Sequence, residues 1–375
     1  MMLFVCEMLE RSSVLRIIYV QNMYNMKPEP IKGRGASTNP GHRFTDEDIE
    51  YDIDESTGQL RKPARKILKD HTKGIIATNK SPDIPFDVSV NPYRGCEHGC
   101  AYCYARPTHE FLNMSPGLDF ETKIVAKYDA PKLLRKKLAS ISWLPQTLVM
   151  SGVTDPYQPV EKELEITRKC IEVLAEARHP LVIITKNYGV TRDIDLLKTL
   201  AEVNAVRVVL SITSLKNELI GTLEPRTSRP EKRLQAVKEL SDAGIPVHVN
   251  IAPVIPGLTD DEIVPIMEAA KNSGAESVSY TILRLPFSVK DIFMKWLEDH
   301  QPNRKQKVIN KLKSLKDGKL NRSEFGERFR GEGAYGEQIR QLMAIHKKRL
   351  CLDTKREPLN CTAFRRPEEG QLSMF

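Results

Sequence analysis

The sequence predicts an α/β fold: a partial (β/α)6 barrel of the TIM type, with an N-terminal arm and a basic, mainly helical C-terminal extension. Three observations carry the prediction. From position 87 onward, short β-branched runs alternate with amphipathic helical stretches at a spacing of about 30 residues, which implies parallel βαβ units with right-handed crossovers. Six such runs are present, fewer than a closed eight-fold barrel needs. The 375 residues, 40% hydrophobic and 28% charged, suffice for one large core plus extensions and exclude a disordered or fibrous chain.

Residues 1–80 read as an extended arm with little core, rich in turns (Lys32-Gly-Arg-Gly, Asn39-Pro-Gly), then acidic, then basic. Met23 and Met26 precede a polar stretch, so residues 1–25 are compatible with an over-assigned start. The barrel is expected over 81–290. Its strands are Asp87–Val90, Thr147–Met150, Leu181–Ile184, Val206–Ile212, Val247–Ile251 and Ser277–Leu283, with helices near 160–177, 192–203, 230–243 and 260–273. Gly244 and Pro246 supply the stop that ends a helix before a strand. The basic helical extension follows over 291–365 and a peptide tail over 366–375. No apolar run reaches the roughly 18 residues of a spanning helix, and the patch Leu15–Val20 lacks a cleavage site, so a cytoplasmic location is expected.

Seven cysteines in such a chain favour metal or redox chemistry over disulfides. Cys6, Cys170, Cys351 and Cys361 are scattered, and Cys170 falls on a helix where it reads as core. Cys96, Cys100 and Cys103 cluster in Asn91-Pro-Tyr-Arg-Gly-Cys-Glu-His-Gly-Cys-Ala-Tyr-Cys, directly after the first predicted strand and hence at the rim where barrel active sites sit. A buried helical stripe of thiols would share this spacing, but Gly95 and Gly99 each disfavour helix by about 1 kcal/mol relative to Ala. Two metal readings remain: a zinc site with His98 or His109 as fourth ligand, and a [4Fe–4S] cluster on three thiolates with one iron left open.

The C-x3-C-x2-C spacing with an aromatic before the last cysteine, on the loop after the first strand of a six-strand barrel, resembles the radical S-adenosylmethionine (SAM) superfamily over residues 81–290. Ser81-Pro-Asp-Ile-Pro-Phe, the cysteine segment and Ser115-Pro-Gly-Leu-Asp-Phe-Glu are similar to the bacterial group allied to spore photoproduct lyase, the DNA repair photolyase-like proteins. The resemblance implies a [4Fe–4S] cluster whose open iron is chelated by SAM, and reductive cleavage of SAM to methionine and a 5′-deoxyadenosyl radical. The hydrogen-donor cysteine of spore photoproduct lyase maps onto no residue here, which leaves the lyase reaction itself open.

The same resemblance maps cofactor contacts onto the other rim loops. Gly152, Thr154 and Asp155 stand where the superfamily usually carries Gly-Gly-Glu, although Asp155 before Pro156 also reads as a helix cap. Lys186 leaves an apolar strand toward solvent or an anion, Ser211 and Thr213 end the fourth strand as ribose contacts or turn caps, and Glu224 is a ribose ligand or an ion-pair partner. Asn250 and Tyr102 occupy adenine-contacting places, with core packing as the other reading of Tyr102. No catalytic residue is assigned.

The net charge of +8 is uneven: residues 301–350 hold 14 Lys/Arg against 5 Asp/Glu, a surplus of 14 − 5 = 9. Such a block suits nucleic acid, an acidic electron donor of flavodoxin or ferredoxin type, or plain solvation of a helix face. The terminal Gln371-Leu-Ser-Met-Phe375 resembles the pentapeptide that binds the replicative sliding clamp, and could equally dock on its own domain. The leading expectation is thus a radical SAM enzyme acting on nucleic acid. The alternatives are a radical SAM enzyme modifying a protein or small molecule and a non-catalytic zinc-binding nucleic-acid adaptor.

Overall fold

A computed structural model describes residues 30–41, 43–44, 53–54, 59–60, 63–326, 328–353 and 357–368, so the expectations for residues 1–25 and for the tail from Gln371 lie outside the described residues. In chain order the strands are β1 (Ile53–Asp54), β2 (Gln59–Leu60), β3 (Lys66–Lys69), β4 (Ile76–Thr78), β5 (Val88–Val90), β6 (Tyr93–Arg94), β7 (Lys123–Ala126), β8 (Leu148–Met150), β9 (Leu181–Thr185), β10 (Val206–Ser211), β11 (Val247–Val254) and β12 (Ser277–Ile282). The principal sheet runs β12-β11-β10-β9-β8-β5-β4, parallel except for the antiparallel edge strand β4. It does not close, so the architecture is the expected partial barrel, widened by one strand.

Each of the six predicted strands is present, because each alternates a helix-facing apolar set with a second set facing the lumen. Val88, Val90, Leu148, Met150, Ile183, Val208, Leu210, Val249 and Val278 are all buried in one core. The register aligns the opposite face into rows: Ile184, Val209, His248 and Ser277 form one, and Ser211, Asn250 and Ser279 form the next toward the C-terminal rim. The lumen therefore turns polar as it approaches the cysteine loop.

The helix expected over 160–177 is two helices, Glu161–Leu164 and Ile166–Glu176, separated by Glu165 in the left-handed region. The break has a clear gain. It brings the Glu161 carboxylate onto the backbone N–H groups of Thr167 (2.9 Å) and Arg168 (3.2 Å), satisfying donors that start the second helix. Cys170 is fully buried in that helix, as packing geometry implies.

The arm is more than extended chain. β4 extends the main sheet, while β3 joins β6 and β7 in a three-stranded sheet beside the cysteine loop. The extension is mainly helical, with a non-helical end. After the helices Val289–His300, Pro302–Ser314 and Gly333–Arg349, the chain turns into a strap across the N-terminal ends of the strands. Asp353 bridges to Ser277, the Glu357 carbonyl accepts from Arg207 (3.0 Å), the Asn360 N–H donates to the Asn204 carbonyl (2.8 Å) and the Arg365 N–H to Ala177 (2.8 Å). The Arg366 guanidinium completes the strap on the carbonyls of Ser140, Ile141 and Trp143. On the open side, the Ile282 N–H donates to the Phe329 carbonyl (2.9 Å) and Arg328 pairs with Asp83 of the β4–β5 loop. Among the described residues no helix is long and apolar enough to cross a membrane.

Under the strap, His179 is fully buried, accepts from the Trp143 indole N–H (3.1 Å) and lies 5.5 Å edge-on from the Phe364 ring. Burial pulls its pKa down to about 4, and protonating Nε2 would abolish the indole bond. The folded value is below the unfolded one of about 6.5, so the unfolded chain binds the proton first and stability falls as pH drops from 6.5 toward 4, by about 3 kcal/mol at most. Thermal melts of His179→Phe should show a lower Tm at pH 7.5 but a shallower loss toward pH 4.5 than wild type; an equal slope refutes the assignment.

Candidate active site

The cysteine loop is shaped by close backbone approaches. Gly99 has φ +66°, and a Cβ there would lie 2.6 Å from Glu121 Oε2; a Cβ on Gly35 of the arm would lie 1.7 Å from the Gly99 carbonyl oxygen. Only glycine fits at either position. The arm thus lies directly on the loop, and Glu121 holds the two together: its carboxylate accepts from the N–H groups of Gly35 (3.2 Å) and Ala36 (2.9 Å) and from Arg106 (2.5 Å). Arg106 is fully buried and spends its remaining donors on the carbonyls of Cys100 (2.9 and 3.0 Å), Pro116 (3.1 Å) and Gly117 (3.0 Å).

Cys96 and Cys100 are buried and Cys103 partly so. Burial pushes all three thiols up, and each of Cys96 and Cys100 feels Cys103 in addition; Lys186 opposes the shift at Cys100 and Cys103. Coordination by iron would relieve that penalty, since a metal ligand must shed its proton. Three coupled thiols on one rim loop, with no fourth cysteine on it, therefore fit a cluster bound through three corners. Zinc fits less well. His98 has both nitrogens engaged, by Asn187 (3.1 Å) and Asp155 (3.4 Å), while His109 bonds the Lys123 carbonyl (3.0 Å) and packs on Phe120.

Four of the mapped residues meet beside the loop. The Tyr102 hydroxyl donates to Glu224, the Thr213 hydroxyl lies 2.6 Å from the same carboxylate, and the Lys186 ammonium lies 3.9 Å from it while donating to the Ala252 carbonyl (2.9 Å). Arg233, fully buried, pairs with the other Glu224 oxygen and donates to the Ser211 carbonyl (2.9 Å). Burial alone would raise the Glu224 pKa, but Arg233 and Lys186 together with the Thr213 and Tyr102 hydrogen bonds bring it down to about 2. Glu224 is thus an anion at neutral pH that fixes Tyr102 against the barrel.

The remaining mapped residues are placed as follows. Asp155 uses both oxygens on the protein, accepting from the Thr185 hydroxyl (2.7 Å) and the Lys186 N–H (2.8 Å). Its main visible action is to bracket the third strand to the second loop. Thr154 donates to the Gly95 carbonyl (2.6 Å), and the Gly152 carbonyl accepts from Tyr104 (2.8 Å). Ser211 and Asn250 are register partners on the lumen face, and Asn250 accepts from Ser279 (3.1 Å). Arg106 and Glu121 escaped sequence reasoning as functional residues, although Arg106 lies three residues past Cys103 and Glu121 ends the Ser115 segment.

The family model of the Radical SAM superfamily matches residues 90–270. The uncharacterized protein Rv2578c of Mycobacterium tuberculosis is 37% identical over 231 residues, 60% of this chain and 68% of its own length. The uncharacterized protein MJ0683 of Methanocaldococcus jannaschii is 32% identical over 199 residues, 53% of this chain and 71% of its own. Among solved structures, a spore photoproduct lyase variant with bound AdoMet and dinucleoside spore photoproduct is similar in fold, with a TM-score of 0.55 and 16% identity over 76% of this chain and 78% of that one.

Two predictions follow from the loop. Single Ala substitutions of Cys96, Cys100 or Cys103 should each abolish iron binding; full iron content in any one removes the site. Glu121→Ala strands the buried Arg106 charge and should cost about 3–5 kcal/mol, read as a fall in Tm with reduced iron occupancy, whereas an unchanged Tm would show that the pair does not organise the loop.

Proposed function

The chain belongs to the radical SAM superfamily, and on that premise we propose that it binds SAM against a [4Fe–4S] cluster held by Cys96, Cys100 and Cys103 and acts on nucleic acid. The observation that carries the reading is that the loop of two buried thiols and a partly buried third lies beside the network of Tyr102, Lys186, Thr213 and Glu224 on one rim. When bound, the cluster supplies the electron that splits SAM into methionine and a 5′-deoxyadenosyl radical.

The chain's own residues position and enclose. Lys186 offers a cation to the SAM carboxylate, held in place by the Ala252 carbonyl. Glu224, kept ionised, holds Tyr102 and Thr213, and with Ser211 and Asn250 of the polar lumen row these would hold the nucleoside part of SAM. Gly152, Thr154 and Asp155 shape the loop at the methionine end. The arm across Gly99 shields the cysteine loop from water.

Support for nucleic acid comes from the basic extension, which packs beside the same rim: Lys316 donates to the Leu283 carbonyl (2.7 Å) just past β12. The structurally similar spore photoproduct lyase carries a dinucleoside ligand. A flavodoxin- or ferredoxin-type donor is the proposed electron source, and the Gln371–Phe375 tail the proposed sliding-clamp ligand.

Reconstituted, dithionite-reduced protein should convert SAM to 5′-deoxyadenosine, and Lys186→Ala should weaken SAM binding with iron content unchanged. No deoxyadenosine from a fully loaded cluster contradicts the reading. Duplex DNA affinity should fall with salt by about 0.9 log units per neutralised phosphate for each tenfold rise; salt-independent or absent binding returns the basic block to the electron donor. Deleting 371–375 should abolish clamp binding and leave Tm unchanged, and a Tm lowered by several degrees assigns the tail to its own domain.

A further inference from the structure

Large aromatic rings left in water usually mark a surface that something covers. On this chain they are gathered. Among the described residues the exposed ones are Phe44, Tyr104, Phe111, Tyr128, Phe287 and Phe325, and all but Tyr128 belong to the segments around the C-terminal rim. Tyr104 follows the last cluster cysteine, Phe287 follows the end of β12, and Phe111 lies 5.3 Å from Phe44 of the arm. Phe111 and Phe287 are 72% and 60% exposed. Phe287 also holds φ +49°, a conformation that non-glycine residues rarely adopt. Arg43 lies over both sides of the group, 3.7 Å from the Phe287 centroid and 5.2 Å from that of Phe44.

A second observation is independent of the rings. Arg284, three residues before Phe287, has its Nε buried with no hydrogen-bond partner, and no carboxylate pairs with it among the described residues. It stacks on Phe329 at 4.8 Å, as does Arg328, but Asp83 pairs directly with Arg328 and acts on Arg284 only at longer range. A partly dehydrated guanidinium with an unbonded Nε and no direct ion pair is suited to receive an anion. Burial and then the neighbouring Arg328 charge lower the Arg284 pKa, with Tyr104 and Asp83 opposing them only in part.

We propose that this rim is a platform for single-stranded nucleic acid, with unstacked bases lying on Phe111 and Phe287 and a phosphate received by Arg284. The inference rests on the nucleic-acid reading above and narrows it. A duplex hides its base faces, so exposed rings contribute little to holding it, whereas every base of a single strand offers a π-face and a phosphate at regular intervals. An apolar protein segment would cover the rings and leave Arg284 uncompensated.

The test is fluorescence anisotropy on the full-length, cluster-loaded protein with a fluorescein-labelled oligothymidylate, alone and annealed to oligoadenylate. The single strand should bind more tightly than the duplex. Phe111→Ala and Phe287→Ala should each weaken single-strand binding about tenfold, while Phe287→Tyr, which keeps a ring, retains it. Arg284→Gln should weaken it by a similar factor and reduce the salt slope by about 0.7. Iron content and Tm report that the variants are folded. Equal binding of both forms, or affinity indifferent to all three losses, overturns the platform while the nucleic-acid reading stands. Failure of both forms to bind overturns platform and reading together.

Discussion

The structure turns on a buried ion pair, Arg106 with Glu121. Both side chains are fully buried, and such a pair is tolerated only where the remaining donors and acceptors are also satisfied. Here they are. Arg106 grips three carbonyl-bearing residues of the cysteine region and Glu121 grips the arm, so one pair fixes the loop that carries the thiols, the segment after it and the strip of chain that covers it. Neither residue need touch a cofactor for this to matter. A cluster on three thiols, as proposed, would need them held in register by the protein, with no fourth protein ligand to anchor it.

A second buried pair, Glu224 with Arg233, plays the corresponding part on the barrel side. It ties the Tyr102 end of the loop to the fourth strand and keeps a carboxylate charged next to Lys186. The two pairs place the loop between arm and barrel. The two ends of the strands differ: the cysteine loop and the exposed aromatic rim lie at the C-terminal end, while Asp353 and residues 357–366 make contacts across the other end.

Much of this was legible in the sequence. The six strands show as β-branched runs because parallel strands buried on the helix side must be apolar, and the Cys96-Cys100-Cys103 spacing is informative because glycines at 95 and 99 argue against a helix. Tyr102, Lys186, Thr213 and Glu224 were singled out separately and the structure brings them into one network. What stayed hidden depends on distant pairing. Residues 65–80 look like a charged arm, yet β3 and β4 join sheets through backbone bonds that leave no pattern in side chains. The partners of Arg106 and Arg233 are set by loop geometry, and a lone arginine in sequence looks like any surface residue. The strap is legible only in retrospect, since its contacts are mostly backbone carbonyls.

The central claim is that three thiolates on this loop hold a [4Fe–4S] cluster with one iron left open for SAM. Electron paramagnetic resonance of the reduced, cluster-loaded protein, recorded with and without SAM, tests it most directly. The account predicts the signal of a reduced [4Fe–4S] cluster whose g-values shift when SAM is added, because the ligand enters the coordination sphere of the open iron. A cluster spectrum indifferent to SAM, or no iron-based signal from protein carrying stoichiometric zinc, would contradict it.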